Sequence, residues 1–137
     1  MDLTLTHAFV HVPDQDAALA FYTDVLGLEK RDDVDMGFMR WLSVGPKSQP
    51  DMQLVLLHPG GPFNDQADID ATLALVAKGM MPGIIFATDD VDAAFEAIVA
   101  AGAEVTQEPI DQPYGVRDCG FRDPFGNHVR MSSRATS

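Results

Sequence analysis

The sequence predicts an α+β fold in which one chain of 137 residues forms two βαβββ modules. Three observations predict it. A strand–helix–three-strand order occurs twice, a helix-start motif repeats at an offset of 76 residues, and 46% of the residues are apolar. That apolar fraction is typical of a globular protein with a buried core. A chain of this length fits one ordinary domain, so we expect both modules to belong to a single domain over 1–137.

The individual elements follow from alternating faces in strands, helical spacing of apolar residues and turn residues between them. The first module is predicted as a strand over 3–12, a helix over 15–26 and strands near 29–34, 38–44 and 52–58. A polar loop over 59–70 and a short helix over 71–78 follow. The second module is predicted as a strand over 82–88, a helix over 91–101 and strands over 104–110, 116–121 and 128–131. Module one is therefore expected near 1–60, the linker near 60–80, module two near 81–132 and a tail over 133–137.

The repeat is clearest where the two helices begin. The stretch DQDAAL starts at Asp14, and DVDAAF starts at Asp90. An aspartate is a preferred N-cap because its carboxylate accepts a hydrogen bond from the first helical turn. Each helix is predicted to end at a glycine, Gly27 or Gly102. The same order seen twice indicates an internal repeat. Two such modules are expected to curl their mixed sheets around a common cleft, a usual place for a small ligand.

The charge and the cysteine content limit the classes of partner and the cellular compartment that we expect. The chain has 21 acidic and 9 basic residues and a formal net charge of −12, so no basic stripe is available for nucleic acid. No apolar run approaches the roughly 20 residues that span a bilayer, and the N-terminus lacks the pattern of a signal peptide. The single cysteine, Cys119, forms no internal disulfide, which fits a reducing compartment. We expect a cytoplasmic protein that contacts neither nucleic acid nor membrane.

Two stretches carry a resemblance to a known family. HAFVHVPDQDAALAFYTDVLGLE, which starts at His7, and FRDPFGNHVRM, which ends at Met131, resemble the start and end of vicinal oxygen chelate proteins. That superfamily includes glyoxalase I, methylmalonyl-CoA epimerase, extradiol dioxygenases, fosfomycin-resistance proteins and bleomycin-binding proteins. The resemblance covers nearly the whole chain and implies the two modules and a homodimer. In the family's enzymes it also implies a divalent metal that stabilises an enediolate-like charge.

The resemblance implies four metal-ligand positions, and this sequence departs from the pattern. The first position is His7, and the second falls on Gln53 or Val55, depending on the alignment. The third falls on Gly83, which has no donor atom, and the fourth on Arg130, whose guanidinium offers only hydrogen-bond donors. A catalytic metal normally needs about three protein ligands. We therefore predict no metal at the usual place and no cofactor.

Face alternation names the side chains expected to line the cleft. They are His7, Phe9, His11, Gln53, Val55, Gly83, Ile85, His128 and Arg130. The set combines apolar residues with polar side chains, as a small-molecule site does. An unusual metal site built from His7, His11 and His128 is left open, and no catalytic residue is assigned.

Arg130 admits two interpretations. Its planar guanidinium is suited to binding a carboxylate or phosphate through two contacts. Alternatively it pairs with a buried acid, as buried charges generally must, and Asp118 and Glu108 are both candidates for that acid. Trp41 also admits two interpretations, since its ring could stack on a ligand or pack in the core.

Two classes of function follow from these features. We predict a small-molecule-binding protein without the usual metal site that sequesters a drug or metabolite, as the bleomycin-binding members do. The alternative is a lyase, isomerase or dioxygenase of the same superfamily that uses a metal, or His7 as a general base. The sequence names neither the ligand nor a reaction.

Overall fold

Residues 1–134 are described in a computed structural model of the chain, and the last part of the predicted tail, residues 135–137, lies outside them. The chain divides into two compact units, one over Met1–Val76 and one that begins at Ala77. Each unit contains a four-stranded mixed sheet. The predicted α+β fold with two similar modules is confirmed. Among residues 1–134, no helix has the length and apolar character that a bilayer span requires.

The first unit builds its sheet in the order β1-β4-β3-β2. Its elements are β1 (His7–His11), α1 (Gln15–Ala20), β2 (Glu29–Asp35), β3 (Arg40–Gly45), β4 (Gln53–Leu57) and the start of α2 (Gln66–Ala77). The strands β1 and β4 run parallel, and the other neighbours are antiparallel. Its core lies on one face of the sheet and includes Val10, Tyr22, Leu42 and Leu56, all of which are buried.

The second unit repeats that order as β5-β8-β7-β6. Its elements are β5 (Ile84–Thr88), α3 (Val91–Ala100), β6 (Glu104–Asp111), β7 (Arg117–Arg122) and β8 (His128–Ser133). The helix α3 packs on β6, β7 and β8, and Phe95 stacks on the buried ring of Phe121 at a centroid distance of 5.6 Å. The face of the sheet opposite α3 is where Ile85 and Arg130 reach the surface.

Most predicted boundaries lie within about two residues of the observed ones, and three elements differ more. The first strand begins at His7 rather than at Leu3. The loop predicted over 59–70 is wrong in its second half, because α2 already begins at Gln66, and the carboxylate of Asp65 accepts from the N–H of Asp68 at 2.9 Å. The first helix is α-helical only to Ala20 and continues as a π-helical turn over Phe21–Val25.

The repeated D-x-D motif joins each helix to its own sheet. Its first aspartate caps the helix: Asp14 accepts from the N–H of Ala17 and Asp90 from the N–H of Ala93, both at 3.0 Å. Its second aspartate forms an ion pair with an arginine of the sheet. Asp16 lies 2.7 Å from the guanidinium of Arg40 and Asp92 lies 2.8 Å from that of Arg117. The predicted caps are confirmed, and the motif also anchors the helix.

The stretch DPFGN forms a tight turn between β7 and β8 around the buried side chain of Asp123. One of its carboxylate oxygens accepts from the N–H groups of Phe125, Gly126 and Asn127 at 2.8–3.0 Å. The other oxygen accepts from the side-chain amide of Asn127 at 2.8 Å, and the N–H of Asp123 donates to the carbonyl oxygen of Asn127 at 2.9 Å. The turn therefore sets the register in which β8 returns along β7.

The substitution Asp123→Ala is expected to destabilise the fold strongly. It removes the shared acceptor of three backbone N–H groups and one amide inside a buried turn. Hydrogen bonds to charged groups contribute about 1.5–3 kcal/mol each, and they are not additive, so we expect the free energy of unfolding to fall by about 3 kcal/mol or more. Urea unfolding followed by circular dichroism measures the change.

Asp51→Ala is the matched control for this substitution. Asp51 is exposed and, within residues 1–134, makes no hydrogen bond or ion pair. Its loss is expected to change the free energy of unfolding by less than about 0.5 kcal/mol. Equal effects of the two substitutions would show that the turn does not depend on Asp123.

Candidate functional site

A hollow of about 230 Å³ lies on the open face of the second sheet. Its lining includes Gly83, Ile85, Thr106, Phe121, His128 and Arg130. Four of these are side chains or positions that the sequence predicted for the ligand site. The structure therefore brings Gly83, Ile85, His128 and Arg130 together within one unit, and it adds Thr106, which sequence reasoning missed.

The sheet register explains why Arg130 lies in the middle of this face. The strand β8 is an inner strand, and Arg130 is the Cα partner of Ile85 on β5 and of Gly120 on β7. A Cβ atom at Gly120 would lie 2.8 Å from Nη1 of Arg130 and 2.7 Å from Oγ1 of Thr106. Real Cβ atoms do not approach other atoms so closely. Glycine at 120 thus leaves the space that the guanidinium occupies.

A network of amides and one acid holds the guanidinium in place. Nη2 of Arg130 donates to Oε1 of Gln107 at 2.8 Å and lies 3.1 Å from Oδ2 of Asp118. The other oxygen of Asp118 accepts from the side-chain amides of Gln107 and Gln112 at 2.8 and 2.9 Å. Of the two acids that the sequence left open, Asp118 is the partner, and Glu108 is exposed. The two glutamines had no signal in the sequence, because only the strand register shows that they are neighbours.

The charges of this network are unequally buried. The side chain of Asp118 is 7% exposed and that of Arg130 is 31% exposed. Burial alone would raise the pKa of Asp118, but hydrogen bonds from Gln112, Gln107 and Arg130, together with the charge of Arg130, outweigh it and lower that pKa. Asp118 is therefore a carboxylate at neutral pH. Arg130 uses only Nη2 in this network. Within residues 1–134 its Nη1 and Nε make no hydrogen bond.

His128 has a structural contact at the edge of the hollow. Its Nε2 donates to the carbonyl oxygen of Gly79 at 2.7 Å, since a carbonyl oxygen only accepts. This hydrogen bond ties β8 to the segment before β5. In the part of the chain that the structure describes, no three His, Cys, Asp or Glu side chains are grouped as metal ligands, so the alternative histidine site gains no support.

The open face of the first sheet carries an aromatic group of side chains. The rings of His7 and Phe9 lie 6.0 and 6.1 Å from the ring of Trp41. Phe9 is 54% exposed, whereas Val55, its partner on β4, is fully buried and offers no surface to a ligand. His11, which the sequence also predicted here, is half-buried at the end of β1. Trp41 therefore belongs to the open face rather than to the core.

Two of the four implied metal positions carry residues that supply no ligand for a divalent cation. In the first unit, Nδ1 of His7 lies 2.7 Å from the hydroxyl of Thr6, and Oε1 of Gln53 accepts from the hydroxyl of Ser43 at 2.8 Å. In the second unit, glycine 83 supplies no side-chain donor and Arg130 supplies a positive charge. Metal ligands need available lone pairs, and a guanidinium has none to give.

Comparison with known proteins agrees with this fold and its motifs. A family model of the Glyoxalase/Bleomycin resistance protein/Dioxygenase superfamily matches residues 4–131. The chain belongs to this superfamily. The resemblance that the two end motifs carry is thereby confirmed.

Several known proteins are similar to this chain over nearly their whole length. UcmS2 is 37% identical and superposes with a TM-score of 0.90 over 96% of this chain and 98% of its own. TnmS3, an antibiotic binding protein from Streptomyces sp. CB03234, is 29% identical, with a TM-score of 0.75 over 98% of both chains. YurT of Bacillus subtilis (strain 168) is 33% identical over 132 residues, which is 96% of this chain and 98% of YurT.

The substitution Asp118→Asn is expected to reduce the loss of stability at acid pH. The pKa of Asp118 is lower in the folded protein than its ordinary value. Its carboxylate therefore stabilises the fold above the unfolded pKa of about 3.9, and that contribution is lost as the pH falls through the folded pKa. The native chain is expected to exceed the variant in free energy of unfolding at neutral pH, and the difference is expected to shrink below about pH 4.

Urea unfolding at a series of pH values measures this difference. Asp51→Asn is the control, since it removes an exposed acid and is expected to leave the pH dependence of the native chain nearly unchanged. A constant difference between the native chain and Asp118→Asn across the acid range would contradict the assigned pKa direction.

Proposed function

We propose that this chain is a small-molecule-binding protein that works without a metal and sequesters an antibiotic or a metabolite. The observation that carries the proposal is the state of Arg130. At the position where metal-using relatives keep an acid, this chain has a guanidinium that is held by Gln107 and Asp118 and keeps unused donors. Such a group binds and orients an oxygen atom of a ligand, and it repels a metal ion.

The similarity to a known antibiotic binding protein supports an antibiotic-like ligand. TnmS3 is an antibiotic binding protein, and the similarity to it extends over 98% of both chains. The open face of the first sheet also suits such ligands, because Phe9 and Trp41 present aromatic rings. Flat rings of this kind stack on the aromatic parts of small molecules. Within the second unit, the hollow that Arg130 lines supplies a polar group for the same kind of ligand.

The enzyme alternative has weaker support. It requires His7 as a general base, and a catalytic histidine is usually oriented by a carboxylate. His7 contacts the hydroxyl of Thr6 and the ring of Trp41, and no acid within residues 1–134 contacts it. A lyase, isomerase or dioxygenase activity would therefore rest on one histidine without an orienting acid.

We further propose that the working form is a cytoplasmic homodimer. Apolar side chains support an interface: Phe9 is 54% exposed, Ile85 69% and Met80 68%. Large apolar side chains that are exposed in one chain are candidates for burial between two chains. Sedimentation equilibrium at about 10 μM is expected to give a species of twice the 14.9 kDa chain mass. A species at the monomer mass up to about 100 μM would contradict the dimer.

Ligand binding is expected to raise the melting temperature of the purified protein. A natural-product antibiotic at 100 times its Kd adds about 2.7 kcal/mol to the free energy of unfolding, or roughly 10 °C for a domain of this size. We expect the shift from a panel hit to persist in EDTA, because no metal takes part. Differential scanning fluorimetry measures the shift.

Three variants test whether the hit binds where we propose. His7→Ala and Arg130→Ala are expected to reduce the shift, whereas Arg134→Gln, which removes an exposed charge paired with Asp89, is expected to leave it unchanged. If neither His7→Ala nor Arg130→Ala reduces the shift, the assigned ligand site is wrong. A shift that EDTA abolishes would overturn the metal-free proposal.

A further inference from the structure

The hollow of the second unit differs in charge from the rest of the chain. The formal net charge of the chain is −12, yet no aspartate or glutamate lines the hollow, and its one guanidinium belongs to Arg130. Ile85 supplies the exposed apolar side chain of the lining, whereas the buried ring of Phe121 stacks on Phe95 of α3. A guanidinium with unused donors beside an exposed apolar side chain suits a ligand that is apolar and carries a negative oxygen.

We propose that this hollow binds a ring-sized compound with an anionic oxygen, a carboxylate or an ionised phenol, and that Arg130 binds this oxygen. The inference rests on the proposed small-molecule function and deepens it, because it names the class of ligand group that the second unit accepts. It concerns this hollow alone and needs no residue of the first unit.

The first support is the way in which Arg130 is held. Its Nη2 is engaged by Gln107 and Asp118, while Nη1 and Nε keep their donors within the described chain. The carboxylate of Asp118 also accepts from two glutamine amides, so it does not depend on Arg130 alone for its hydrogen bonds. The guanidinium is therefore oriented before a ligand arrives, and orientation in advance lowers the cost of binding.

The second support is a neighbouring hydroxyl. Oγ1 of Thr106 and Nη1 of Arg130 both lie within 2.8 Å of the point where a Cβ of Gly120 would stand. Thr106 is exposed and its hydroxyl makes no hydrogen bond within residues 1–134. The two unused donors are therefore close neighbours on the open face, and one carboxylate with two oxygens can accept from both of them.

The third support is the space itself. A Cβ at Gly83 would lie 3.0 Å from Cβ and 3.1 Å from the carbonyl oxygen of His128, so a larger residue at 83 would crowd the hollow. Its volume of about 230 Å³ corresponds to roughly seven or eight water molecules. A cavity of about 150 Å³ already admits benzene. The hollow therefore has room for one ring with a carboxylate, and too little for a whole drug-sized molecule, whose pockets start near about 300 Å³.

Benzoate and benzamide are the probes that test the proposal. They have nearly the same shape, and only benzoate carries a negative charge. We titrate each into isotopically labelled native protein and follow backbone amide shifts by NMR. Benzoate is expected to bind with a Kd on the order of 1 mM, as suits so small a ligand. The largest shifts are expected at Gly83 and Gly120. Benzamide is expected to bind at least about tenfold more weakly, because charge-assisted hydrogen bonds are the stronger ones.

Four variants separate the guanidinium from general effects. Arg130→Gln is expected to weaken benzoate about tenfold and to remove its preference over benzamide. Arg134→Gln changes the net charge equally and is expected to leave the affinity unchanged. Thr106→Val and Gly83→Ala both keep Arg130 and Asp118, and each is expected to weaken benzoate at least about threefold. The first removes a hydroxyl donor, and the second presses a Cβ against β8. These two variants test the site even if Arg130→Gln does not fold.

The outcomes distinguish this inference from the proposed function. Equal affinities for benzoate and benzamide, or an unchanged benzoate affinity in Thr106→Val and Gly83→Ala, would overturn the anionic site. If antibiotics nevertheless raise the melting temperature in a manner that His7→Ala reduces, the proposed function stands without it. If neither benzoate nor any antibiotic binds, both are wrong.

Discussion

The second unit depends on one turn, in which the buried carboxylate of Asp123 gathers the N–H groups of the residues that follow it. Turns with this many internal hydrogen bonds allow few alternative lengths, so β8 leaves the turn in a single register along β7. That register makes Gly120 the neighbour of Arg130 and Asp118 the neighbour of Ser132. A shift by one residue would turn Arg130 toward α3 and the apolar core.

The fold was predictable to the extent that it follows from local signals. Asp14 and Asp90 are caps whose partners lie three residues away, and Gly27 and Gly102 end their helices with positive φ, a conformation that other residues rarely adopt. The start of α2 at Gln66 was missed because its first turn is polar and shows no apolar spacing. A cap by Asp65 was the one signal that could have found it.

For the candidate site, the sequence could predict only which face of a strand each side chain lies on. Alternation correctly puts Ile85 and Arg130 on one side of the second sheet, because both strands are regular there. It could not choose between Asp118 and Glu108, nor find Gln107, because β6 pairs with β7 through two register irregularities. Val55 shows a second limit of prediction from alternation. Its face was predicted, but its burial depends on the size of its neighbours, which alternation does not describe.

The two sheets have the same strand order, but residues of different chemical type occupy their equivalent positions. In the first, Val55 of β4 stands beside Phe9 and Ser43; in the second, Arg130 of β8 stands beside Ile85 and Gly120. The serine has a Cβ where the glycine has none. A Cβ at 120 would lie 2.8 Å from Nη1 of Arg130, so the guanidinium keeps its present position only while residue 120 lacks a side chain. The strand beside β8 thus takes part in placing the charge that β8 carries.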